Sequence, residues 1–195
     1  RVKTRLASDI GPEAAAAVHA HLAVQTVKLA QSTGLEVKVA IAGDLDSPFA
    51  QGLRRLGASI TPQTLGSLGD RLKRTLSAPG RHIALGSDCV TFDPQWLIGA
   101  AHNMTPVTIG PADDGGYWAV SIDNTVPNLA NLVFDGMPWS SANLFEHTVA
   151  KLAANQIEAA ILPRAYDIDT LKDLRRLIAD DRCPAPLKDD LSGLL

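Results

Sequence analysis

The apolar positions change period several times along the chain, and each change predicts an element. From Pro12, "PEAAAAVHAHLAVQTVKLAQSTG" has proline in its first turn, then strong helix formers, and closes at Gly34, which predicts one long helix. "VKVAIAG" (Val37 to Gly43) is a β-branched run ended by glycine and aspartate, a strand. Ser47 is placed to cap a helix through "PFAQGLRRLG", and "ASITPQ" reads as a second short strand. Leu68, Leu72 and Leu76 recur four apart, on one helix face, until Pro79-Gly80. "HIALGSD" reads as a central strand. Asp93-Pro94 open a helix through Asn103. "PVTIGPA" and "YWAVSID" are strands on either side of "DDGG". "SSANLFEHTVAKLAANQ" is a helix capped by Ser140 or Ser141, "IEAAILP" a strand, and "DTLKDLRRLIADD" a last helix. Residues 180–195 hold two prolines and no clear period, and are read as an irregular tail.

Strands alternating with helices predict an α/β fold with a mostly parallel sheet covered on both faces. The adjacent strands around "DDGG" break the alternation, so the sheet is expected to be mixed. Folds of this kind usually open on a buried strand, whereas "RVKTRLASDIG" opens on charge. The first strand is therefore expected to be missing from this sequence. The 195 residues, 46% hydrophobic and 20% charged, suit a single domain spanning 1–195. The net charge of -3 excludes a generally basic surface for nucleic acid or an anionic membrane. No apolar window is long enough to span a membrane, and no signal peptide is visible. Cys89 and Cys183 lie far apart with no CxxC pair, which points to a reducing, cytoplasmic setting.

Candidate chemistry gathers in four stretches. In open α/β sheets, ligands bind beyond the carboxyl ends of the strands. "HIALGSDC" puts Asp88 at such an end, with Gly86 and Ser87 leaving room for a ligand at the backbone. A carboxylate there can hold Mg²⁺, which takes hard oxygen ligands and keeps positions open for phosphates; it can equally cap the next helix. In "GPADDGGYW", Gly115-Gly116 suit a tight turn, while Asp113 and Asp114 exceed what a turn needs. In "YDIDTLKDL", Asp167 and Asp169 alternate, so an extended backbone can point one to the site and leave the other, or Thr170, to cap the following helix; otherwise both are helix caps or solvated charge. In "RVKTRL", Lys3 and Arg5 share a face if the segment is extended, as a clamp on phosphate oxygens requires; otherwise they are a solvated basic end. The five histidines lack metal-ligand spacing, and Cys89 has no nucleophile pattern around it.

The ordered set "VKTRL", "SLGDRL", "GSDC", "GPADDGGYW", "PWS" and "DIDTLKDL" resembles the bacterial GT-A-type, nucleotide-diphospho-sugar transferase-like proteins of uncertain function. These are provisionally assigned as glycosyltransferases and are related to the molybdenum-cofactor and phospholactate nucleotidyltransferases. The resemblance runs from Val2 to about Leu177. It implies a Rossmann-like GT-A fold of three α/β/α layers, with a glycine-containing loop before Arg1 around a nucleotide. It implies Lys3 and Arg5 on the phosphates beside Gly86 and Ser87, and Mg²⁺ or Mn²⁺ on Asp88 and Asp169. Asp114, Gly115 and Gly116 would line the acceptor or sugar side, with Trp139 and Ser140 near the pocket and Asp114 a candidate base. The expected activity is transfer of a sugar from a nucleotide diphosphate to an acceptor hydroxyl. The alternatives are nucleotidyl transfer from a triphosphate to a phosphorylated small molecule, or nucleotide binding without catalysis. The sequence departs from its relatives after "GSDC", where Val90-Thr91-Phe92 replace a proline and an apolar residue.

Overall fold

The computed structural model describes residues 3–195. Two helices, α1 (Thr4–Ile10) and α2 (Pro12–Gln31), lead into β1 (Lys38–Ile41), α3 (Pro48–Arg55), β2 (Ser59–Pro62), α4 (Leu68–Thr75), β3 (Arg81–Leu85) and α5 (Pro94–His102). A hairpin of β4 (Val107–Pro111) and β5 (Tyr117–Asp123) follows. The chain then runs through α6 (Leu129–Phe134), α7 (Leu144–Ala154), β6 (Ala159–Ile161), α8 (Leu171–Ala179) and α9 (Ala185–Ser192).

β1 and β2 pair in parallel, and four further strands lie in the order β3-β5-β4-β6. β5 is antiparallel to both β3 and β4, and β4 is parallel to β6. Three strands of that sheet therefore point one way, and the hairpin's return strand alone is reversed. This is the mixed sheet that the adjacent strands predict. β3 is not the central strand its apolar run suggests. Among the described residues it pairs only with β5, and all five of its positions are half-buried. An apolar run reports cover on the faces of a strand, not neighbours at both its edges. The fully buried centre is β4.

Helices cover both faces. On one, Val107, Ile109, Val120 and Ile122 meet Leu129, Val133 and Phe134 of α6 and Leu152 of α7. On the other, Ala119 packs with Ala30 of α2 and Leu97 of α5. Leu6, Leu22, Leu174 and Leu191 draw α1, α2, α8 and α9 into one adjoining cluster. Two of these helices were not foreseen. The first is α1, where an extended segment was expected. Lys3 takes a left-handed conformation at φ 51 and Gly11 lies at φ 87, and the seven residues between them close a short helix that buries Leu6. The second is α9, in the stretch read as an irregular tail. Pro184 is its N-cap, and Leu187 and Leu191, four apart, bury one face. Proline is tolerated at a helix start, so the two prolines mark a beginning rather than an absence of structure.

The helix starts explain where several polar residues go. Ser47 accepts from the Ala50 N–H, and Asp93 caps α5 by accepting from the Gln95 N–H. Ser67 with Asp70, and Thr170 with Asp173, form reciprocal capping boxes on α4 and α8. Ser140 and Ser141 cap nothing. Ser140 is left-handed at φ 66, and the Ser141 hydroxyl lies against Pro138 O and Asn143 Oδ1. The N-cap position of α7 belongs to Asn143, and the Phe145 N–H is taken by the Gly115 carbonyl.

Candidate functional site

Two backbone contacts bring the acid-bearing stretches to one rim of the sheet. The Ile168 N–H donates to the Asp88 carbonyl at 3.2 Å, which ties the "DID" segment to the tip of β3. Beyond the end of β4, Ala112 and Ala165 form a parallel bridge, and the Asp113 N–H reaches Ala165 O at 3.0 Å. The Asp113–Gly116 turn is thereby fixed beside residues 165–169. Since Asp93 caps the next helix, Asp88 is left for another role.

That role is visible in the side chains. The Lys3 ammonium donates to Asp88 Oδ2 at 2.6 Å and to Asp169 Oδ1 at 3.0 Å. Asp169 turns its second oxygen to Arg5, also at 3.0 Å. The Lys3 side chain is 4% exposed, those of Asp88 and Asp169 are about a third exposed, and Arg5 is 73% exposed. Asp88 and Asp169, 85 and 166 positions along the chain from Lys3, thus meet on that one buried cation. The phosphate clamp expected of an extended "RVKTRL" is not formed. Arg1 and Val2 lie outside the described residues, and the helix α1 lets Lys3 point inward while Arg5 stays at the surface. Lys3 serves the two carboxylates because a buried ammonium without an anionic partner is costly.

Two clefts of about 210 and 190 Å³ open at this rim, and both are lined by Asp114 and Asp167. Each is smaller than the roughly 300–1,000 Å³ usual for ligand pockets, but through the shared acids they form one trough. One end holds Arg5, Asp169 and Arg176. The other holds Gly86, Asp88, Gly116, Tyr117, Trp139 and Ser140. Tyr117 meets Trp139 edge-on at 6.1 Å, and Phe134 supports the Trp139 ring from 6.3 Å. The result is an apolar wall facing a row of carboxylates. The Val90-Thr91-Phe92 departure reinforces this region: Phe92 is buried and stacks on Trp118, another trough residue, with centroids 5.1 Å apart.

The sites expected from the sequence divide accordingly. Lys3, Arg5, Gly86, Asp88, Asp114, Gly116, Trp139, Ser140 and Asp169 converge on the trough or on the Lys3 contact beside it. Ser87 is exposed and lines neither cleft. Gly115 also lines neither; it packs on the backbone of Ala142 and holds α7 through its carbonyl. Asp113 is paired with Arg176 at 2.7 Å, leaving Asp114 as the acid of the turn that faces both clefts.

Asp167 is the principal site residue the sequence did not single out. Burial, and then the charge of Asp114, push its carboxyl up to about 6. Its alternation with Asp169 was the available signal, but that pattern does not say which acid faces the cleft. A carboxyl raised in the folded state binds a proton that the unfolded chain has already released, so this group takes stability away as pH rises. Asp167→Asn is expected to stabilise the metal-free protein at pH 7–8. The gain should shrink as pH falls through 6 and vanish below about 4, as read by urea unfolding in chelator across that range. Cys89 is a buried, inert thiol, pushed up to about 12 chiefly by burial.

The donor chemistry suits a hard divalent cation: Asp88 and Asp169 already turn carboxylate oxygens on a single positive charge. Among the described residues, however, no three of His, Cys, Asp and Glu gather as a metal-holding group. No described helix is long and apolar enough to cross a membrane.

Solved structures share the fold. A crystal structure of a protein from Desulfovibrio desulfuricans G20, provisionally assigned as a nucleotide-diphospho-sugar transferase, superposes with a TM-score of 0.81 at 24% identity, covering 100% of this chain and 90% of that one. The inositol-1-phosphate CTP transferase from T. maritima superposes at 0.60 with 12% identity, covering 100% and 92%. At such identities the likeness is one of fold, and it bears out the expected three-layer nucleotide-diphospho-sugar transferase architecture. No curated protein matches the chain. A family profile matches residues 24–141, a stretch that carries "GSDC", "GPADDGGYW" and "PWS" and stops short of "DIDT". The chain therefore belongs to the bacterial family described as "Uncharacterized protein conserved in bacteria (DUF2064)".

Proposed function

We propose that the protein is a transferase that uses Mg²⁺ or Mn²⁺ to move a sugar from a nucleotide diphosphate to an acceptor hydroxyl. The observation that carries this reading is the meeting of Asp88 and Asp169 on one cation at the rim of the sheet, at the side of an acid-lined, aromatic-walled trough. Asp88 and Asp169 would hold the metal, which when bound supplies Lewis-acid neutralisation of the diphosphate's charge. Arg5, paired with Asp169 but mostly in solvent, keeps further N–H donors for phosphate oxygens, and Arg176 lines the same end of the trough. Trp139 and Tyr117 offer the flat apolar surface on which a sugar ring packs, and Ser140 a hydroxyl. Asp114 and Asp167 stand where an acceptor hydroxyl would enter. Asp167, raised toward neutrality, is the better matched to take up a proton there at physiological pH. The fold likeness to the provisionally assigned nucleotide-diphospho-sugar transferase agrees with this reading.

A second reading, nucleotidyl transfer from a triphosphate to a phosphorylated small molecule, draws on the likeness to the CTP transferase and on the two arginines at one end of the trough. A thermal-shift screen of nucleotides and nucleotide sugars, each with and without Mn²⁺, tests both. A donor present at 100 times its dissociation constant should raise Tm by roughly 5–11 °C for a domain of this size, and should do so only with the metal. Release of a nucleoside diphosphate from the sugar donor then marks the first reading, and release of pyrophosphate the second. Absence of any metal-dependent shift contradicts both.

A further inference from the structure

The ammonium of Lys3 lies where a divalent ion bound by Asp88 and Asp169 would have to sit. Its contacts of 2.6 and 3.0 Å draw on one oxygen of each carboxylate. Metal–oxygen bonds of about 2.0–2.1 Å to those carboxylates leave no room for an ammonium between them. The two cations also repel at that range. We propose that Lys3 is a displaceable counter-cation: it closes the metal site in the nucleotide-free protein, and a divalent ion enters only with a nucleotide, whose phosphate oxygens receive Lys3 as it leaves. The inference rests on the nucleotide-and-metal reading above and adds an order of binding to it.

Three features set Lys3 apart from an ordinary surface ion pair. First, its side chain is almost wholly buried, so it cannot leave the carboxylates for water without rearrangement and needs a second anion. Arg5, by contrast, keeps most of its surface in solvent and touches only the far oxygen of Asp169. Second, the groups facing Lys3 give it little competition for the acids. His19 on α2 is held below its ordinary value, by burial first and then by the charge of Lys3 itself. Third, only the side chain has to move. The Lys3 carbonyl accepts from the Ala7 N–H at 2.8 Å, and α1 is anchored through buried Leu6, so the backbone remains in place while four methylenes swing.

The test is the uptake of Mn²⁺ alone, followed by electron paramagnetic resonance of the free ion. Lys3→Met is expected to bind Mn²⁺ without nucleotide roughly tenfold or more tightly than the wild type, within the range usual for coupled sites. It should bind UDP, GDP, CDP and ADP, each tried singly, more weakly. Lys3→Gln, which keeps an amide donor for Asp88, should behave alike, and circular dichroism reports that each variant is folded. The wild type carries the test even without a variant: its Mn²⁺ affinity should rise at least tenfold when the favoured nucleoside diphosphate is present. Mn²⁺ bound equally well by wild type and Lys3→Met, or by wild type with and without nucleotide, overturns the role of Lys3 and leaves the metal-and-nucleotide reading standing. No Mn²⁺ bound to any of them, with nucleotide or without, overturns both.

Discussion

Asp88→Asn is expected to lower metal-dependent turnover by roughly 10²–10³-fold or more, the loss usual when one group that stabilises developing charge is removed. The substitution takes a full negative charge from the proposed metal position and leaves an amide, whose neutral oxygen attracts a divalent ion less than a carboxylate does. The fold should survive it. The crossing between β3 and the "DID" segment runs through the backbone carbonyl of Asp88, which asparagine retains. Its side-chain oxygen can still accept from Lys3, and Asp169 continues to balance that buried charge. The stability cost is then about 1–3 kcal/mol, that of weakening one charge-assisted hydrogen bond. The check is an initial-rate assay at saturating Mn²⁺ with circular dichroism of the same preparation. Turnover at the wild-type rate would remove Asp88 from the chemistry, whereas an unfolded protein would show that the acid is structural. Asp169→Asn is the less clean probe, because Asp169 holds both Lys3 and Arg5.

How far the sequence announces this arrangement depends on how local each signal is. α2, α5, the β4–β5 hairpin and the cap at Thr170 were legible because their causes lie within a few residues: a proline-started alanine run, an Asp-Pro start, a Gly-Gly turn, a hydroxyl before an apolar period. α1 and α9 were not: α3 and α4 are as short, but those open on Ser47 and Ser67, whose hydroxyls cap them, whereas α1 and α9 have no side-chain cap to mark a start. Their stability comes from burying Leu6, Leu187 and Leu191 against one another's neighbours. α6, six residues long and opening on left-handed Asn128 with no side-chain cap, fails to announce itself for the same reason. For the site, strand-end position singled out Asp88, and spare acid in a turn pointed to Asp113 and Asp114 alike, with Asp114 chosen by resemblance. The convergence of Asp88 with Asp169 was reached by resemblance. No local pattern encodes it, because it depends on a parallel bridge and one backbone hydrogen bond between distant segments. The extended backbone expected around Lys3 and Arg5 fails for a related reason. Their alternation predicts a shared face only if the segment is extended, whereas residues 4–10 close a helix that buries Leu6.

Gly115→Ala is expected to cost roughly 2–5 kcal/mol of stability and to disable the trough with it. Two penalties add. The residue lies at φ +88, where an alanine pays about 1–2 kcal/mol against its Cβ. A Cβ there also runs into the carbonyl carbon and oxygen of Ala142. That obstacle is backbone, so no side-chain rotation relieves it, and overpacking of this kind adds about 1–3 kcal/mol. At roughly 2–4 °C per kcal/mol for a domain of this size, Tm should fall by roughly 4–20 °C. Gly136 provides the control. It too is left-handed, at φ +65, but a Cβ there meets nothing within 4 Å, so Gly136→Ala should pay the backbone penalty alone. The functional consequence follows from what the turn carries. To clear Ala142 the loop must move, which draws the Gly115 carbonyl from the Phe145 N–H and shifts Asp114 and Gly116, held to each other at 2.9 Å, out of the trough. Donor binding that depends on the Trp139 wall should therefore weaken in Gly115→Ala even below its melting temperature, and remain near wild type in Gly136→Ala. Equal unfolding midpoints for the two variants in urea would show that the Ala142 contact yields freely, and would reduce Gly115 to an ordinary turn glycine.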